Sequence, residues 1–152
     1  MDIKEIDSFF DYQMTFDEDP LFLLDEIIAQ ASAYLPAEQI EGIKHAYTFT
    51  KAAHAGVKRL SGEPYIVHPL KATLFLMELK PDLASIQACI MHDVIEDSDV
   101  TAADLLASGL SNEVVTAVQI LTKKKGQSYQ EYLEKVKSNN LARVVKLADL
   151  KH

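Results

Sequence analysis

Apolar side chains recur along most of this chain at spacings of three and four residues, the period of an amphipathic helix. The first repeat follows Pro20, includes Leu24, Ile27 and Ala31, and stops near Pro36. Later repeats cover residues 37–56, 70–79, 82–97, 101–106, 113–122, 129–137 and 141–150. No stretch alternates convincingly between apolar and polar residues, as a half-buried strand would. The pattern therefore predicts an all-α fold, a bundle of helices.

Capping residues and turn-forming residues lie between the predicted helices. Thr101, Ser111 and Ser128 each precede a repeat, and their hydroxyls can accept hydrogen bonds from unpaired N–H groups of a first helical turn. Glycine and proline break the rhythm over residues 58–65, which predicts a loop. The basic residues 123–126 predict a second turn, either a solvated loop or a point of phosphate contact.

One predicted helix carries unusual chemistry. Residues 86–91 are almost all apolar, and the polar groups that follow are His92, Asp93, Glu96 and Asp97. Carboxylates are seldom fully buried without a partner or a metal ion. On a helix, His92 lies one turn from Glu96 and Asp93 one turn from Asp97. This arrangement favours metal-assisted water chemistry, and the alternative is a solvated acidic helix end.

Two further residues can join His92 and Asp93 as ligands. His68 is predicted to lie just before the helix at 70–79, and Asp149 stands in an apolar C-terminal segment. A set of two histidines and two aspartates suits a divalent transition metal such as Mn²⁺, Fe²⁺ or Zn²⁺, whereas a structural zinc site usually includes thiolates. Bringing these residues together requires a bundle whose interior holds the metal site.

Length and composition narrow the class of protein. With 152 residues, 48% of them hydrophobic, the chain is expected to form one domain with a true core. It has no apolar run long enough to span a membrane and no signal-peptide pattern, so we expect a cytoplasmic protein without a membrane partner. The single cysteine, Cys89, lies in the apolar stretch and is expected to fill the core.

The charge of the chain is unevenly distributed. Residues 1–40 contain ten acidic side chains and one lysine, whereas the rest of the chain is close to neutral. We therefore divide the chain into an acidic N-terminal extension with its leading helix, residues 1–36, and a main domain, residues 37–152, that carries the candidate site. The acidity leaves the presumed site free to accept an anion. No basic stripe with interleaved aromatic residues is present, so nucleic acid is not expected as a partner.

Three stretches resemble the signature blocks of the RelA/SpoT-homologue hydrolase domain, a branch of the HD superfamily. They are Arg59-Leu-Ser-Gly-Glu-Pro-Tyr-Ile-Val-His-Pro69, His92-Asp-Val-Ile-Glu-Asp97 and Lys146-Leu-Ala-Asp149. The resemblance runs from about residue 40 to the end, and residues 109–137 look more like the small stand-alone alarmone hydrolases. It implies an HD-domain helical bundle that removes the 3′-diphosphate from ppGpp or pppGpp with Mn²⁺, releasing pyrophosphate and GDP or GTP.

The resemblance also implies roles for individual residues. Four of them match the family's Mn²⁺ ligands: His68, His92, Asp93 and Asp149. Glu96 and Asp97 match the acidic pair that activates and positions the attacking water. Arg59 matches an arginine that packs on the guanine base. Its neighbours in the same nucleotide-binding loop are Lys58, Leu60 and Ser61.

Two departures from the family pattern bear on the substrate. Leu60 stands where the family usually has a lysine beside the base, which predicts weaker base selectivity. The family continues past the position of His152 with an asparagine that contacts the nucleotide, and a site without that residue could bind metal and still hydrolyse poorly.

Three functions remain open at this point. The first is a Mn²⁺-dependent 3′-pyrophosphohydrolase of guanosine tetra- and pentaphosphate. The second is an HD-type phosphohydrolase of another phosphorylated nucleotide, which Leu60 makes plausible. The third is a non-catalytic nucleotide-sensing or interaction module, against which the paired Glu96 and Asp97 argue. Turnover of a nucleotide panel in the presence of metal would distinguish them.

Overall fold

The computed structural model describes residues 19–55 and 65–151, and these form helices, turns and loops without a strand. Within those two ranges the helices are, in chain order, α1 (Pro20–Ser32), α2 (Ala37–Ala53), α3 (Val67–Met77), α4 (Leu83–Met91), α5 (Val94–Asp97), α6 (Ala102–Ala107), α7 (Asn112–Leu121), α8 (Tyr129–Ser138) and α9 (Asn140–Lys151). The predicted all-α class is confirmed. The expectations for the N-terminal residues 1–18 and for the loop at 58–64 fall outside the described residues.

Helices α3, α4 and α9 form the centre of the bundle, because each of them packs against the other two. Helix α1 packs on α3, α2 packs on α4, and α7 contacts both α4 and α9. Helix α8 covers the outer side of α7 and α9. The apolar stretch of α4 is buried from Ile86 to Met91, with Cys89 fully buried as predicted. A helix segment that is buried on all sides carries apolar residues on all sides. Residues 86–91 of α4 therefore show no polar stripe.

The predicted caps are present and explain where several helices begin. Ser111 Oγ accepts a hydrogen bond from the N–H of Val114 at 3.3 Å, and Ser128 Oγ accepts one from Glu131 at 3.1 Å. Thr101 and Asp104 form a reciprocal capping box at the start of α6. Each of these hydroxyls satisfies an N–H group that has no partner inside its own helix.

Close packing of α2 on α4 depends on one glycine. The amide of Gln87 donates to the carbonyl of Gly42 at 3.1 Å. A Cβ at position 42 would lie 3.0 Å from Leu83 Cδ2 and 3.2 Å from Gln87 Nε2, closer than side chains normally approach. Glycine therefore lets α2 lie tightly against the helix that leads to His92.

Two boundaries differ from the sequence predictions. Helix α3 begins at Val67, so His68 lies in its first turn instead of before it. Pro69 is tolerated there because N–H groups of the first turn have no intrahelical partner. The helix predicted over 82–97 is interrupted at His92 and Asp93 and resumes as the short α5. At the break, the N–H of His92 donates to Cys89 O, a three-residue spacing that tightens and ends α4.

Among the residues described, no helix combines the length and apolar character needed to cross a bilayer. The leading helix α1 buries Leu23, Leu24, Ile27 and Ala31 in the same core as the rest of the bundle. The division of the chain at residue 36 stays a prediction.

Candidate metal centre

Three central helices each deliver a side chain to one point inside the bundle. His68 comes from the first turn of α3, and Asp149 comes from the last turns of α9. His92 and Asp93 come from the turn between α4 and α5. Because α3, α4 and α9 pack against one another, residues that are up to 81 positions apart in the sequence become neighbours.

The four side chains are linked by short distances that pass through His92 Nε2 and Asp149 Oδ1. His68 Nε2 is 2.6 Å from Asp149 Oδ1, and His92 Nε2 is 3.3 Å from the same oxygen. His92 Nε2 is also 3.2 Å from Asp93 Oδ2. Potential ligand atoms of His68, His92 and Asp93 all lie within 4.8 Å of one another. The structure thus brings together the four residues that the sequence predicted as ligands.

The tautomer of His92 follows from its backbone contact. Its Nδ1 lies 2.6 Å from the carbonyl oxygen of Cys89, which can only accept a hydrogen bond, so Nδ1 carries the proton. In the neutral ring, Nε2 then presents a lone pair to the oxygens of Asp93 and Asp149. Nε2 is buried and makes no well-aligned hydrogen bond within the described residues, despite its short distances to both carboxylates.

The lone pairs of His92 Nε2 and of the Asp93 and Asp149 oxygens repel one another unless a positive charge lies among them. Burial lowers the pKa of His92, but the carboxylates of Asp149 and Asp93 outweigh burial and raise that pKa well above its ordinary value. The nearby imidazoles of His68 and His92 hold the pKa of the Asp149 carboxyl well below its usual range. A proton on His92 or a divalent cation can meet this requirement.

The spacing of the cluster fits a divalent transition metal. For ligands about 2.1 Å from a cation, neighbouring ligand atoms of an octahedron or a tetrahedron lie about 3.0–3.4 Å apart. The separations of 3.2 and 3.3 Å around His92 Nε2 fall in that range, whereas His68 Nε2 and Asp149 Oδ1 are closer, at the hydrogen-bond distance of 2.6 Å. The donors are imidazole and carboxylate, which suit intermediate divalent ions. The orphaned Nε2 of His92 and this spacing indicate that the residues fit a bound cation.

Glu96 and Asp97 occupy α5, the helical turn that follows the cluster. The N–H of Asp97 donates to the carbonyl of Asp93 at 3.0 Å, so these two acidic residues are one turn apart, as predicted. Partial burial raises the pKa of both Glu96 and Asp97, and the negative charge of Asp93 raises each further. Glu96 remains exposed, and Asp97 is half-buried. A carboxylate with a raised pKa is a better proton acceptor near neutral pH.

Sequence reasoning missed Lys146 as a neighbour of this site. Lys146 Nζ lies 3.6 Å from Asp149 Oδ2 and 5.4 Å from the centre of the Tyr132 ring. Burial lowers the pKa of Lys146, but Tyr132 and Asp149 outweigh it and raise the pKa overall. The available signal was its place three residues before Asp149, since residues at that spacing share a helix face.

Two other described histidines, His45 and His54, are not part of the cluster. His45 is exposed, with Nε2 3.4 Å from Ser108 Oγ. His54 is 4% exposed and packs at 5.7 Å from the ring of Tyr65. Burial lowers the pKa of His54, and Asp97 and Asp93 partly oppose that effect. Neither ring nitrogen of His54 has a hydrogen-bond partner in the part of the chain that the structure describes.

The predicted nucleotide-binding residues Lys58, Arg59, Leu60 and Ser61 lie outside the described ranges, as does His152. Their predicted contacts with a base stay predictions.

Comparison with known proteins places these residues in a family context. A family model described as the HD domain matches residues 46–149, which include all four clustered side chains. A guanosine-3′,5′-bis(diphosphate) 3′-pyrophosphohydrolase of Vibrio cholerae is 42% identical over 113 residues, covering 73% of this chain and 16% of that protein. The bifunctional (p)ppGpp synthase/hydrolase SpoT of Escherichia coli is 36% identical over 113 residues, with the same coverages of 73% and 16%.

A solved structure shows the same architecture. It is described as a metazoan ortholog of SpoT that hydrolyzes ppGpp, and it aligns with a TM-score of 0.59 at 25% identity. The alignment covers 76% of this chain and 67% of the other. The chain spans only 16% of the length of the two bacterial relatives, so their activities as whole proteins do not pass to it directly.

Proposed function

This chain belongs to the HD-domain family and is homologous to the SpoT and RelA hydrolases, and on that premise we propose that it is a Mn²⁺-dependent guanosine-3′,5′-bis(diphosphate) 3′-pyrophosphohydrolase. The single observation that carries the proposal is the convergence of His68, His92, Asp93 and Asp149, with the acidic pair of α5 next to them. The names of the bacterial relatives and of the metazoan structure supply the substrate, guanosine tetra- or pentaphosphate.

We assign the four clustered side chains as metal ligands. Two imidazoles and two carboxylates without a thiolate form a mixed donor set, which favours Mn²⁺ over ions that prefer sulfur. When bound, such a cation lowers the pKa of a water molecule and withdraws electron density from a phosphoryl oxygen. Cys89 contributes its backbone carbonyl, which orients the His92 ring, while its buried thiol stays in the core.

Glu96 and Asp97 are assigned to the proton chemistry. In the proposed reaction, one carboxylate takes a proton from water as the water oxygen bonds to the phosphorus attached to the ribose 3′ oxygen. The bond between that phosphorus and the ribose oxygen breaks, and the ribose oxygen takes up a proton. Pyrophosphate and GDP or GTP are released. The raised pKa of both carboxyls suits them to this exchange near neutral pH.

Lys58, Arg59, Leu60 and Ser61 are assigned to the nucleotide, on the basis of the sequence resemblance alone. Arg59 would stack on the base. Because the diphosphate meets the metal centre, we expect the 3′-diphosphate to select the substrate more than the base does.

The decisive experiment is pyrophosphate release from ppGpp, compared with Mn²⁺, Mg²⁺, Zn²⁺ and no added metal. We expect release with Mn²⁺, detectable release from the adenine counterpart, and almost none from GDP. A chain extending beyond His152 is the preferred sample where one can be made. Phosphate release from a 2′- or 3′-monophosphate without any release from ppGpp would contradict the assignment and identify a different nucleotide phosphohydrolase.

A further inference from the structure

Lys146 places an ammonium group at the outer edge of the metal-ligand cluster. Its Nζ is 3.6 Å from Asp149 Oδ2, whereas the other oxygen of that carboxylate, Oδ1, faces His68 and His92. Asp149 therefore separates the cluster from the ammonium. The lysine does not occupy a ligand position, and its charge lies at the outer edge of the cluster.

The ammonium is held in position by an aromatic ring. Nζ lies 5.4 Å from the centre of the Tyr132 ring, a cation–π distance. Tyr132 is itself fixed, because it is buried and its hydroxyl donates to the carbonyl of Leu121 at 2.8 Å. The Lys146 side chain is 19% exposed, so part of it remains accessible to a ligand. Because Tyr132 already restricts the Lys146 side chain, less side-chain entropy is lost when an anion binds to the ammonium.

The excess of negative charge at the site favours a positively charged side chain such as Lys146 close to it. The cluster and α5 together hold four carboxylates, from Asp93, Glu96, Asp97 and Asp149. A divalent ion neutralises only part of that charge, and a diphosphate adds more negative charge. The charge of Lys146 lowers the pKa of Glu96, against the net rise, so its field reaches the acidic turn as well as Asp149. A fixed positive charge there offsets the repulsion of an anionic substrate.

We propose that Lys146 is a substrate-binding residue, whose ammonium contacts non-bridging oxygens of the 3′-diphosphate when the nucleotide occupies the site. The inference rests on the proposed function for its substrate class. At 3.6 Å the pairing with Asp149 is loose, longer than the usual 2.7–2.9 Å of a charge-assisted hydrogen bond. Turning the ammonium toward phosphoryl oxygens therefore gives up a weak contact. The competing interpretation is a purely structural ion pair that orients Asp149.

Inorganic pyrophosphate, the product expected from the reaction, distinguishes the two interpretations without requiring turnover. Its binding to the protein is measured by calorimetry with Mn²⁺ in fixed excess, for the wild type, Lys146→Gln and Lys146→Arg. Metal affinity is measured separately by Mn²⁺ titration. Lys137→Gln is the matched control, because it removes the same charge from an exposed position on α8.

We expect Lys146→Gln to weaken pyrophosphate binding by about tenfold or more, since a charge-assisted contact is lost. Mn²⁺ affinity should stay within about threefold, Lys146→Arg should retain most of the binding, and Lys137→Gln should change neither. If Lys146→Gln does not fold, Lys146→Met, which keeps the stem against Tyr132, replaces it.

The opposite pattern would overturn the inference: unchanged pyrophosphate binding together with lost Mn²⁺ affinity identifies a structural ion pair. Failure of the proposed function looks different. In that case the wild type would bind pyrophosphate in a Lys146-dependent manner and still release none from ppGpp.

Discussion

The proposed ligand cluster and the acidic turn beside it are built in contrasting ways. His68 and Asp149 lie on α3 and α9, and His92 directly follows α4. These three helices pack against one another, and His92 is 4% exposed. Glu96 and Asp97 lie on α5, a single turn of four residues at the edge of the bundle, and Glu96 is exposed. Burial and a three-helix scaffold fix distances to a bound ion. A short surface turn leaves its carboxylates accessible to water and substrate.

This contrast suggests a division of labour. A metal site requires its ligands to be positioned before the ion binds, and packing of α3, α4 and α9 provides that. Proton transfer requires a carboxylate that meets the substrate and whose pKa lies closer to neutral. Partial burial near Asp93 provides such a pKa for Glu96 and Asp97. Substitutions in the two regions should therefore fail in different ways.

The largest effect is expected from the cluster. Asp149→Asn keeps the shape of the side chain but removes the negative charge that faces both histidines. We expect metal content to fall from about one ion per chain to about a tenth of that or less, with turnover lost in parallel. The melting temperature should no longer rise with Mn²⁺, because an ion stabilises only the fold that binds it. His68→Ala should behave in the same way.

Elemental analysis and thermal melts with and without Mn²⁺ measure these effects. His45→Ala is the control, since His45 is an exposed histidine that contacts Ser108 and lies outside the cluster. Full metal occupancy in both Asp149→Asn and His68→Ala would show that the ligand set is wrong.

The acidic turn should separate binding from chemistry. Glu96→Gln and Asp97→Asn remove a proton acceptor at nearly constant shape. We expect turnover to fall by about 10²-fold or more while metal and nucleotide binding are retained, because proton transfer typically contributes about 10²–10⁴-fold. Steady-state kinetics and Mn²⁺ titration of the same samples test this. Glu113→Gln, an acid exposed in the first turn of α7, serves as the control. Ordinary turnover in both variants would make α5 merely a solvated helix end.

How well the sequence predicts this site depends on how far apart its residues are in the chain. His92, Asp93, Glu96 and Asp97 are adjacent in the chain, so local periodicity was enough to group them. His68 and Asp149 are 81 positions apart, and periodicity alone could not show that they approach to 2.6 Å. Matching several blocks to a family supplied that pairing, because it carries information about tertiary contacts that one helix does not.

Two features could not be predicted from local pattern. The interruption between α4 and α5 depends on His92, whose N–H and ring both turn back to the Cys89 carbonyl. Lys146 was overlooked because a lysine on a helix usually lies in solvent, whereas here the Tyr132 ring from α8 holds it beside Asp149.

A smaller and graded effect is expected from pH, and it belongs to the cluster. Burial opposes protonation of His92, but Asp149 and Asp93 raise its pKa well above the ordinary value. Below that raised pKa, Mn²⁺ must displace a proton to bind. Metal affinity should therefore fall as pH falls, by about tenfold per pH unit for each proton released. Mn²⁺ titrations between about pH 6 and 8 measure the slope, which a pH-independent affinity would contradict.

The smallest effect is expected at the predicted base-binding loop, which lies outside the described residues. This loop would add a third role, binding without chemistry, to those of the ligand cluster and the acidic turn. Stacking of an arginine on a base contributes about 0.5–2 kcal/mol. A contact with the base, away from the reacting phosphorus, would stabilise the ground state and the transition state about equally. Arg59→Ala should therefore raise KM by about 2- to 30-fold with little change in kcat, unlike Glu96→Gln, which should lower kcat.

Leu60→Lys is the companion variant to Arg59→Ala, because it restores the residue that the family usually has beside the base. An ammonium there would favour the polar edge of guanine over that of adenine, so the ratio of kcat/KM for ppGpp to that for its adenine counterpart should increase. Both variants are assayed by pyrophosphate release with Mn²⁺. A loss of kcat in Arg59→Ala equal to its loss of kcat/KM would instead place this arginine at the reacting phosphate. Chemistry would then extend beyond α5 into the loop, and the separation between a binding region and a reacting region would no longer hold.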